Sequence, residues 1–537
     1  MKHALYAFLL LCVVALAAGC SGRFETFAFQ TAEGARIDIW QSPRVAADRE
    51  ALFQPRADHA ASPVYHLARA ITVETNGVSF GLSYTSDVPR TTLTLLSDKN
   101  TTLATTALPA TAGNPVRYLV PLARGSRIWG YRLSSDATQG TLTLRAAGTA
   151  PSVHGFLIDE NGLSVDGSVE VLSAGTDAVT ARLTEATQAE MGQGTWLISL
   201  DGVAPGGRIV FKDAGGATAA FDLSAFGGPR LDFARGSIPF LPRDVALQGK
   251  LGSFRVSHVP AGAPLPADPG TVLTWDRSAW RTPDYELFSW TRFPQVLIVD
   301  FSTYDVQDAF FKRLAFFVEK AGHAGKLESE ASLSAFHAYN AHDYRAEDLA
   351  RFFTQAGKSV SVEENTLSRI LLDNGVIKKS DAGFAPGDGS VLSISRGSSP
   401  LLRSLLLTHE SFHGIYFSLP GFRDATEKEW TSLSPIEQDV WTEYLSHNNY
   451  DTTDHYLVVN EFQSYLMQQA RSGVMGFQDI TLSRMRSWSA HGASLARQLA
   501  ATHPTSFLRA FDVLDAAVRG AGGPPGGQSF GVLEAAP

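Results

Sequence analysis

The sequence contains little cysteine: among its 537 residues only Cys12 and Cys20 occur, both near the N-terminus. Residues 1–19 are typical of a secretory signal peptide, because a basic start precedes an apolar run and small residues lead up to Cys20. Cys12 would be removed with this segment, and Cys20 lies at the cleavage point. The remaining chain is therefore expected to have no disulfide and no thiolate metal ligand. Any metal must be held by His, Asp or Glu.

The residues before Cys20 resemble a bacterial lipobox, with Leu16 one place further from the cysteine than usual. This resemblance implies lipidation at Cys20 and a place in the bacterial cell envelope. Ser21 favours the outer membrane, with the protein either periplasmic or surface-exposed. A transmembrane anchor is the alternative, but the apolar run is shorter than the about 20 residues that a span needs. We expect membrane contact through the N-terminal lipid only.

Charged residues are also scarce, at 18% of the chain, and the net charge is -9. An acidic chain of this kind argues against nucleic acid as a partner. No second apolar run is long enough to cross a membrane. The length and the 44% hydrophobic content predict a well-packed chain of several domains.

The N-terminal half reads as β structure. Short runs rich in β-branched and aromatic residues, separated by Gly, Pro, Asn and Asp, predict sandwich-like or jelly-roll-like domains. A boundary at Gly148–Pro151 gives two all-β domains, residues 20–150 and 151–280. They are either scaffold modules or contacts for a glycan or a protein, since fold alone does not establish function.

The C-terminal half reads as a mainly helical α+β domain over residues 290–518. A continuous apolar strand at Gln295–Phe301 precedes several helical patterns that stop at glycines. A second strand, Gly389–Ser395, is either a sheet edge that could hold an extended peptide or an ordinary core strand. The Gly/Pro-rich residues 519–537 predict a disordered tail.

One helix of this half carries the pattern H-E-x-x-H, as His409-Glu410-Ser411-Phe412-His413. Ser399 and Pro400 mark its start. Residues four apart share a helix face, so His409 and His413 can bind one Zn²⁺ while Glu410 lies beside the open coordination position. Zinc lowers the pKa of bound water to about 7, and a neighbouring carboxylate can accept its proton. The alternative is a pair of histidines that only hydrogen-bond within a core.

A later apolar helix, residues 455–470, supplies a third ligand. Glu461 interrupts its apolar face, and a carboxylate there requires a charged or hydrogen-bonding partner. Two His and one Glu leave a fourth position open, as in catalytic zinc sites. Tyr465 shares the face of Glu461 and is a candidate to orient a ligand or stabilise an oxyanion. We weigh five other acidic residues as third ligands: Glu427, Glu429, Glu437, Glu443 and Asp451.

With these residues the chain resembles a gluzincin-type zinc metallopeptidase, in which a Glu on a later helix, often preceded by Asn, completes H-E-x-x-H. Here that pair is Asn460-Glu461. The resemblance implies a zincin-like domain with one zinc ion per chain, with His409, His413 and Glu461 as ligands and Glu410 as general base.

The chain departs from the known branches of these peptidases. Between His413 and Glu461 lie 47 residues, a longer interval than in the aminopeptidase-like branch, whose ligand position falls here on Ser432. The metzincin extension is also missing, because Tyr416 and Leu419 stand in place of its glycine and third histidine. Three residues near Glu461 are candidate transition-state donors: His455, Tyr456 and Tyr465.

The sequence thus predicts an envelope-anchored zinc peptidase that acts on a peptide or protein. Two alternatives remain open. One is a non-catalytic surface-binding or adhesion lipoprotein with an inactive or structural zincin domain. The other is a zinc hydrolase of non-peptide amides or esters.

Overall fold

The computed structural model describes residues 28–31, 36–38, 51–53, 65–73, 78–111, 115–151, 154–159, 162–174, 178–203, 206–223, 228–249, 252–336, 338–528 and 532–534. The expected signal peptide and Cys20 lie outside these residues. The chain divides into two compact units: residues 1–220 with 240–258, and residues 221–239 with 259–537. No helix in the described ranges is long and apolar enough to cross a membrane.

In the described part of the first half, the structure is almost entirely β, as the sequence predicts, with one short helix, α1 (Glu185–Met191). Its strands are β1 (Ala28–Thr31), β2 (Arg36–Asp38), β3 (Ala51–Phe53), β4 (Tyr65–Thr72), β5 (Val78–Ser86), β6 (Arg90–Ser97), β7 (Thr102–Pro109), β8 (Val116–Pro121), β9 (Arg127–Ser134), β10 (Leu142–Pro151), β11 (Gly155–Asp159), β12 (Gly162–Val165), β13 (Val169–Ala174), β14 (Ala178–Leu183), β15 (Trp196–Val203), β16 (Arg208–Lys212), β17 (Thr218–Leu223), β18 (Gly228–Ala234), β19 (Asp244–Gln248) and β20 (Ser253–His258).

Within the first unit these strands form three runs of neighbours: β2-β1-β4-β9-β6-β7, then β15-β20-β11-β12-β8-β5-β10-β3, and β13-β14-β19-β16. Pairing is antiparallel except between β8 and β12. Alternate residues of β5, such as Phe80, Leu82 and Tyr84, are buried, the period expected of strands with one face on a core.

The domain boundary expected at Gly148–Pro151 lies inside β10 instead. These residues pair with β5 down to Pro151 and Val78. Gly and Pro can occupy a strand where the ladder tolerates them, so they do not mark a linker here. Strands of the two predicted β-domains therefore share one sheet, while residues 221–239 and 259–280 of the second belong to the other unit.

The second unit is centred on a five-stranded sheet, in the order β21-β22-β23-β27-β24. The further strands of this half are β21 (Leu265–Ala267), β22 (Tyr285–Trp290), β23 (Val296–Phe301), β24 (Ala341–Arg345), the hairpin β25 (Ile377–Ser380) and β26 (Gly383–Pro386), β27 (Ser390–Ser395) and β28 (Val532–Glu534). Every residue of β23 and of β27 is buried, as expected of central strands. The strand predicted at Gly389–Ser395 is thus a core strand, and β24 is the edge.

Helices precede, connect and follow the strands of this sheet. Those before and between the strands are α2 (Pro269–Thr274), α3 (Tyr304–Val318), α4 (Ala346–Ala356) and α5 (Val362–Asp373). Seven helices follow β27: α6 (Pro400–Ser418), α7 (Pro420–Ser432), α8 (Pro435–His447), α9 (His455–Met467), α10 (Val474–Trp488), α11 (Ala490–Thr502) and α12 (Ser506–Gly520). An all-β region followed by a mainly helical one agrees with the predicted order of classes.

The phenylalanines of α3 pack against the sheet and build the core next to it. Phe301, Phe310 and Phe311 have ring centroids 5.0–5.8 Å apart, and the cluster extends through α4 and α5. In β23, the fully buried Asp300 is paired with Arg396 and Arg403 at 2.8 and 2.7 Å. This bidentate pairing compensates a carboxylate that would otherwise be costly to bury.

The Gly/Pro-rich stretch expected to be disordered is hydrogen-bonded over its first residues. Gly523 N donates to Val518 O at 2.8 Å, and Gly527 N donates to Met467 O at 2.7 Å. Glycine is required there for close approach: a Cβ on Gly526 would lie 2.3 Å from the Phe511 ring. The composition at residues 521–528 therefore reflects tight packing against helices rather than disorder.

Candidate metal centre

Helix α6 presents His409, Glu410 and His413 together on a buried face. It begins as the sequence predicts, with the Ser399 hydroxyl accepting a hydrogen bond from Leu402 N at 3.3 Å. This cap fixes the helix register, and the four-residue spacing then brings the two histidines to one side.

Glu461 comes from α9, which lies against α6. Asp454 caps α9 by accepting from two backbone N–H groups. The two helices are joined by the Ser464 hydroxyl, which donates to His409 O at 3.2 Å, and by the Gln463 amide, which donates to Phe412 O at 3.3 Å. These contacts fix the distance between Glu461 and the histidines.

The three side chains meet through atoms that suit a single metal ion. His409 Nε2 and His413 Nε2 are 3.1 Å apart, and the Glu461 carboxylate lies 3.4 Å from the first and 3.6 Å from the second. Metal–ligand bonds of about 2.0–2.2 Å at tetrahedral angles separate the ligand atoms by about 3.3–3.6 Å. The three side chains could therefore hold a metal ion, as the sequence predicts.

The outer ring nitrogens face oxygen atoms. His409 Nδ1 lies 3.1 Å from Gln468 Oε1, an acceptor, so Nδ1 carries the proton and Nε2 keeps its lone pair. His413 Nδ1 lies 3.6 Å from Asp343 Oδ2. Carboxylate and amide oxygens in this position orient metal-binding histidines.

Burial sets the electrostatics of the site. It lowers the pKa of His409 and of His413 to about 4, so both rings are neutral at pH 7. Burial raises the pKa of Glu461 to about 8, and Asp343 adds to this shift while His413 and a hydrogen bond from Tyr450 oppose it. The pKa of Glu410 is raised well above its usual value, first by burial and then by Asp343 and Glu461.

Buried oxygen atoms without hydrogen-bond partners show whether the site fits a metal ion. Glu410 Oε2 and Glu461 Oε2 have no hydrogen-bond partner in the part of the chain that the structure describes. Because the neutral imidazoles provide no positive charge, burial shifts both carboxyl groups towards their protonated forms. A divalent cation would supply the missing positive charge, so the residues present fit a metal. A second group, Asp343 with Glu410 and His413, also has the spacing of metal ligands.

A cavity of about 180 Å³ lies next to these groups. Tyr465 lines it, with its ring centroid 4.8 Å from that of His409. His455 does not line it: its ring is exposed, with Nε2 2.6 Å from Glu427 Oε1. Tyr456 also lies outside it, under the guanidinium of Arg345, which is 3.8 Å from the ring centroid.

The other acidic residues weighed as third ligands have different partners. Glu429 and Glu437 both pair with Arg509 at 2.9 Å, and Glu437 forms a capping box with Ser434 at the start of α8. Glu443 accepts from the Ser489 hydroxyl at 3.3 Å. Asp451 accepts from Thr453.

Four residues of the cavity wall do not follow from the motif: Glu319, Tyr339, Asp343 and Tyr450. Asp343 lies on β24 between His342 and Tyr344, whose rings stack on Phe311 in the core. Alternation along a strand therefore turns Asp343 the other way, towards His413. The sequence signal for this orientation of Asp343 is an aspartate between two aromatic residues in a short strand. No comparable local signal marks Glu319 or Tyr450.

Comparison with known proteins adds little to this geometry. No family model matches the chain, and no curated protein matches it. Among solved structures, an allantoicase aligns with 45% of this chain and 91% of its own at 12% identity, with a TM-score of 0.18. The tandem CBM22 domain of Paenibacillus barcinonensis Xyn10C aligns with 45% of this chain and 99% of its own at 11% identity, with a TM-score of 0.13. At these scores neither likeness supports a statement about fold or function.

Proposed function

We propose that this chain is a zinc-dependent peptide hydrolase of the gluzincin type, with one zinc ion per chain. The observation that carries the proposal is the convergence of His409 Nε2, His413 Nε2 and the Glu461 carboxylate at distances of 3.1–3.6 Å, with Glu410 beside them on the cavity wall. Two imidazoles and a carboxylate suit zinc among the common metals, and three protein ligands leave a position open for reaction.

A zinc ion bound there would polarise a substrate carbonyl and make an attacking water more acidic. Glu410 would accept the proton of that water and later deliver it to the leaving nitrogen, since its side chain lines the same cavity. Gln468 holds the His409 ring in position, and Asp343 lies 3.6 Å from His413 Nδ1. Tyr465 is the donor best placed for a developing oxyanion, because it lines the cavity and adjoins His409. His455 has no such position.

A peptide is favoured over other amides or esters by the edge strand. β24 pairs with β27 on one side only among the described strands, and it carries Asp343 into the site. Its other backbone edge can pair with an extended peptide lying along the cavity. We further propose that the chain is held in the bacterial envelope by a lipid on Cys20, as the lipobox resemblance implies.

Zinc content and peptide cleavage test the function directly. We compare wild type with Glu461→Ala and Glu410→Gln by elemental analysis and by assay on a mixed peptide library. Zinc lost only in Glu461→Ala, with cleavage reduced in Glu410→Gln by about 100-fold or more, would support both roles. Absence of zinc from the wild type, or zinc unaffected by Glu461→Ala, would favour the rival function, a non-catalytic surface-binding lipoprotein.

A further inference from the structure

The cavity beside the candidate metal centre is unbalanced in charge. Four carboxyl groups line it, from Glu319, Asp343, Glu410 and Glu461, and the described lining includes no Lys or Arg. One divalent cation compensates only two of these groups. The other two carboxyl groups are left to face the space that a substrate would fill.

Glu319 is the carboxylate in this cavity that the proposed zinc chemistry does not use. It follows α3, is buried, and accepts a hydrogen bond from the Tyr344 hydroxyl at 2.8 Å. No Lys, Arg or His nitrogen of the described chain lies within 4.0 Å of it. The adjacent Lys320 instead places Nζ 3.1 Å from the centre of the Tyr339 ring. Lys320 acts on Glu319 electrostatically without a direct ion pair, so the charge of this buried carboxyl group is only partly compensated.

The same cavity has an aromatic wall. Tyr339, Tyr450 and Tyr465 line it; the first two rings stack with centroids 5.3 Å apart, and the last two are 6.5 Å apart. Aromatic faces attract organic cations electrostatically. Independently, Glu410 lines this cavity, and its buried Oε2 has no hydrogen-bond partner among the described residues. The cavity thus combines carboxyl groups with tyrosine rings, of which Tyr339 already contacts Lys320 and Tyr450.

We propose that the cavity selects substrates with an ammonium or guanidinium group next to the scissile bond, and that Glu319 binds this group. The inference rests on the proposed peptide hydrolysis and names its substrate class. The cation can belong to a free N-terminus or to a Lys or Arg side chain. Glu319 is assigned rather than Asp343 because Asp343 is directed to His413.

Matched peptides test the proposal on the zinc-loaded full chain. In the first set every peptide has an acetylated N-terminus, and each position in turn carries either Lys or its neutral isostere norleucine. In the second set every peptide carries norleucine, and the N-terminus is either free or acetylated. We expect kcat/KM for the cationic member of at least one set to exceed that of its neutral partner by about 30-fold or more, the lower range for losing one partner of a buried charge pair. In Glu319→Gln the ratio should fall to about threefold or less.

The matched control is Glu347→Gln, which removes an exposed carboxylate from the first turn of α4 and should keep the wild-type ratio. Equal cleavage of charged and neutral peptides by the wild type overturns the proposal, as does a ratio unchanged in Glu319→Gln. If Glu319→Gln does not fold, the wild-type ratio alone decides.

A binding measurement separates this inference from the proposed function. Calorimetric titration of the same peptides into Glu410→Gln reports affinity without turnover. If no peptide is cleaved by the wild type but cationic peptides still bind at least tenfold more tightly than neutral ones, the cation site stands and the hydrolase fails. If peptides are cleaved and bound without regard to charge, the hydrolase stands and the cation site fails.

Discussion

At the scale of single residues, burial prepares the candidate metal ligands in opposite ways. It keeps His409 and His413 neutral, which leaves their Nε2 lone pairs available. It also favours the protonated form of Glu461, whose pKa is about 8. A metal ion can therefore bind the two neutral histidines directly, whereas Glu461 must first lose a proton.

This difference predicts how zinc affinity depends on pH. Below pH 8 the metal-free protein holds a proton on Glu461, and zinc must displace it, so affinity should rise with pH up to about 8 by at most about tenfold per unit for each proton. The histidines, with pKa values of about 4, contribute no such dependence above pH 5. Calorimetry at pH 7 in buffers of different ionisation enthalpy should show release of about one proton or more.

The control for this experiment is Glu461→Gln, in which any remaining zinc binding should release fewer protons. Zinc binding without proton release at pH 7 would contradict the raised pKa of Glu461. So would an affinity that changes with a midpoint near the ordinary histidine value of about 6.5.

At the scale of elements, the position of α6 on the sheet depends on a residue without a side chain. Gly414 follows His413 directly, and a Cβ there would lie 3.1 Å from a methyl of Val296 and 3.3 Å from a methyl of Leu392. The helix that carries the candidate metal ligands therefore packs closely against β23 and β27.

Gly414→Val should therefore destabilise the protein by about 1–3 kcal/mol, the cost of overpacking a core. It should also weaken zinc binding, because α6 must move away from the sheet with His413. Urea unfolding of the zinc-loaded protein and zinc affinity measure the two effects. Gly476→Val is the control, since a Cβ on Gly476 in α10 meets nothing within 4 Å. Equal stability of the two variants would show that α6 has room at Gly414.

At the scale of the whole molecule, local patterns predicted some parts and missed others. Caps and four-residue spacing define α6 and α9 from within each segment, so Ser399, the two histidines and Glu461 could be found in the sequence. Asp343 and Glu319 reach the cavity only through the register of β24 on β27 and the length of α3. Such pairings depend on contacts between distant segments, which no local pattern contains.

The limits of the predicted peptidase domain give a test at this scale. A fragment of residues 290–537 lacks β21 and nearly all of β22, which pairs with β23 from Tyr285 to Ser289. It also loses residues 221–239, where Asp232 accepts from Thr291 at 2.9 Å. We expect this fragment to aggregate or to bind less than one zinc ion per chain, whereas residues 22–537 stay soluble and bind one.

Size-exclusion chromatography and elemental analysis of both chains, prepared in the same way, make the comparison. Cooperative thermal unfolding and full zinc content of the 290–537 fragment would contradict this expectation, because they would show that the sheet folds without its first two strands.

The candidate zinc ligands and the groups that bind the two helices together all lie between His409 and Gln468, whereas Glu319, Tyr339 and Asn340 reach the cavity from earlier segments. Mutations in these earlier segments can therefore accumulate without touching a ligand. Under selection for a new substrate, we expect adaptive changes to concentrate at residues 319 and 339–340 while the ligands stay fixed. The candidate hydrolytic centre would then stay constant, while the cavity residues that recognise the substrate change.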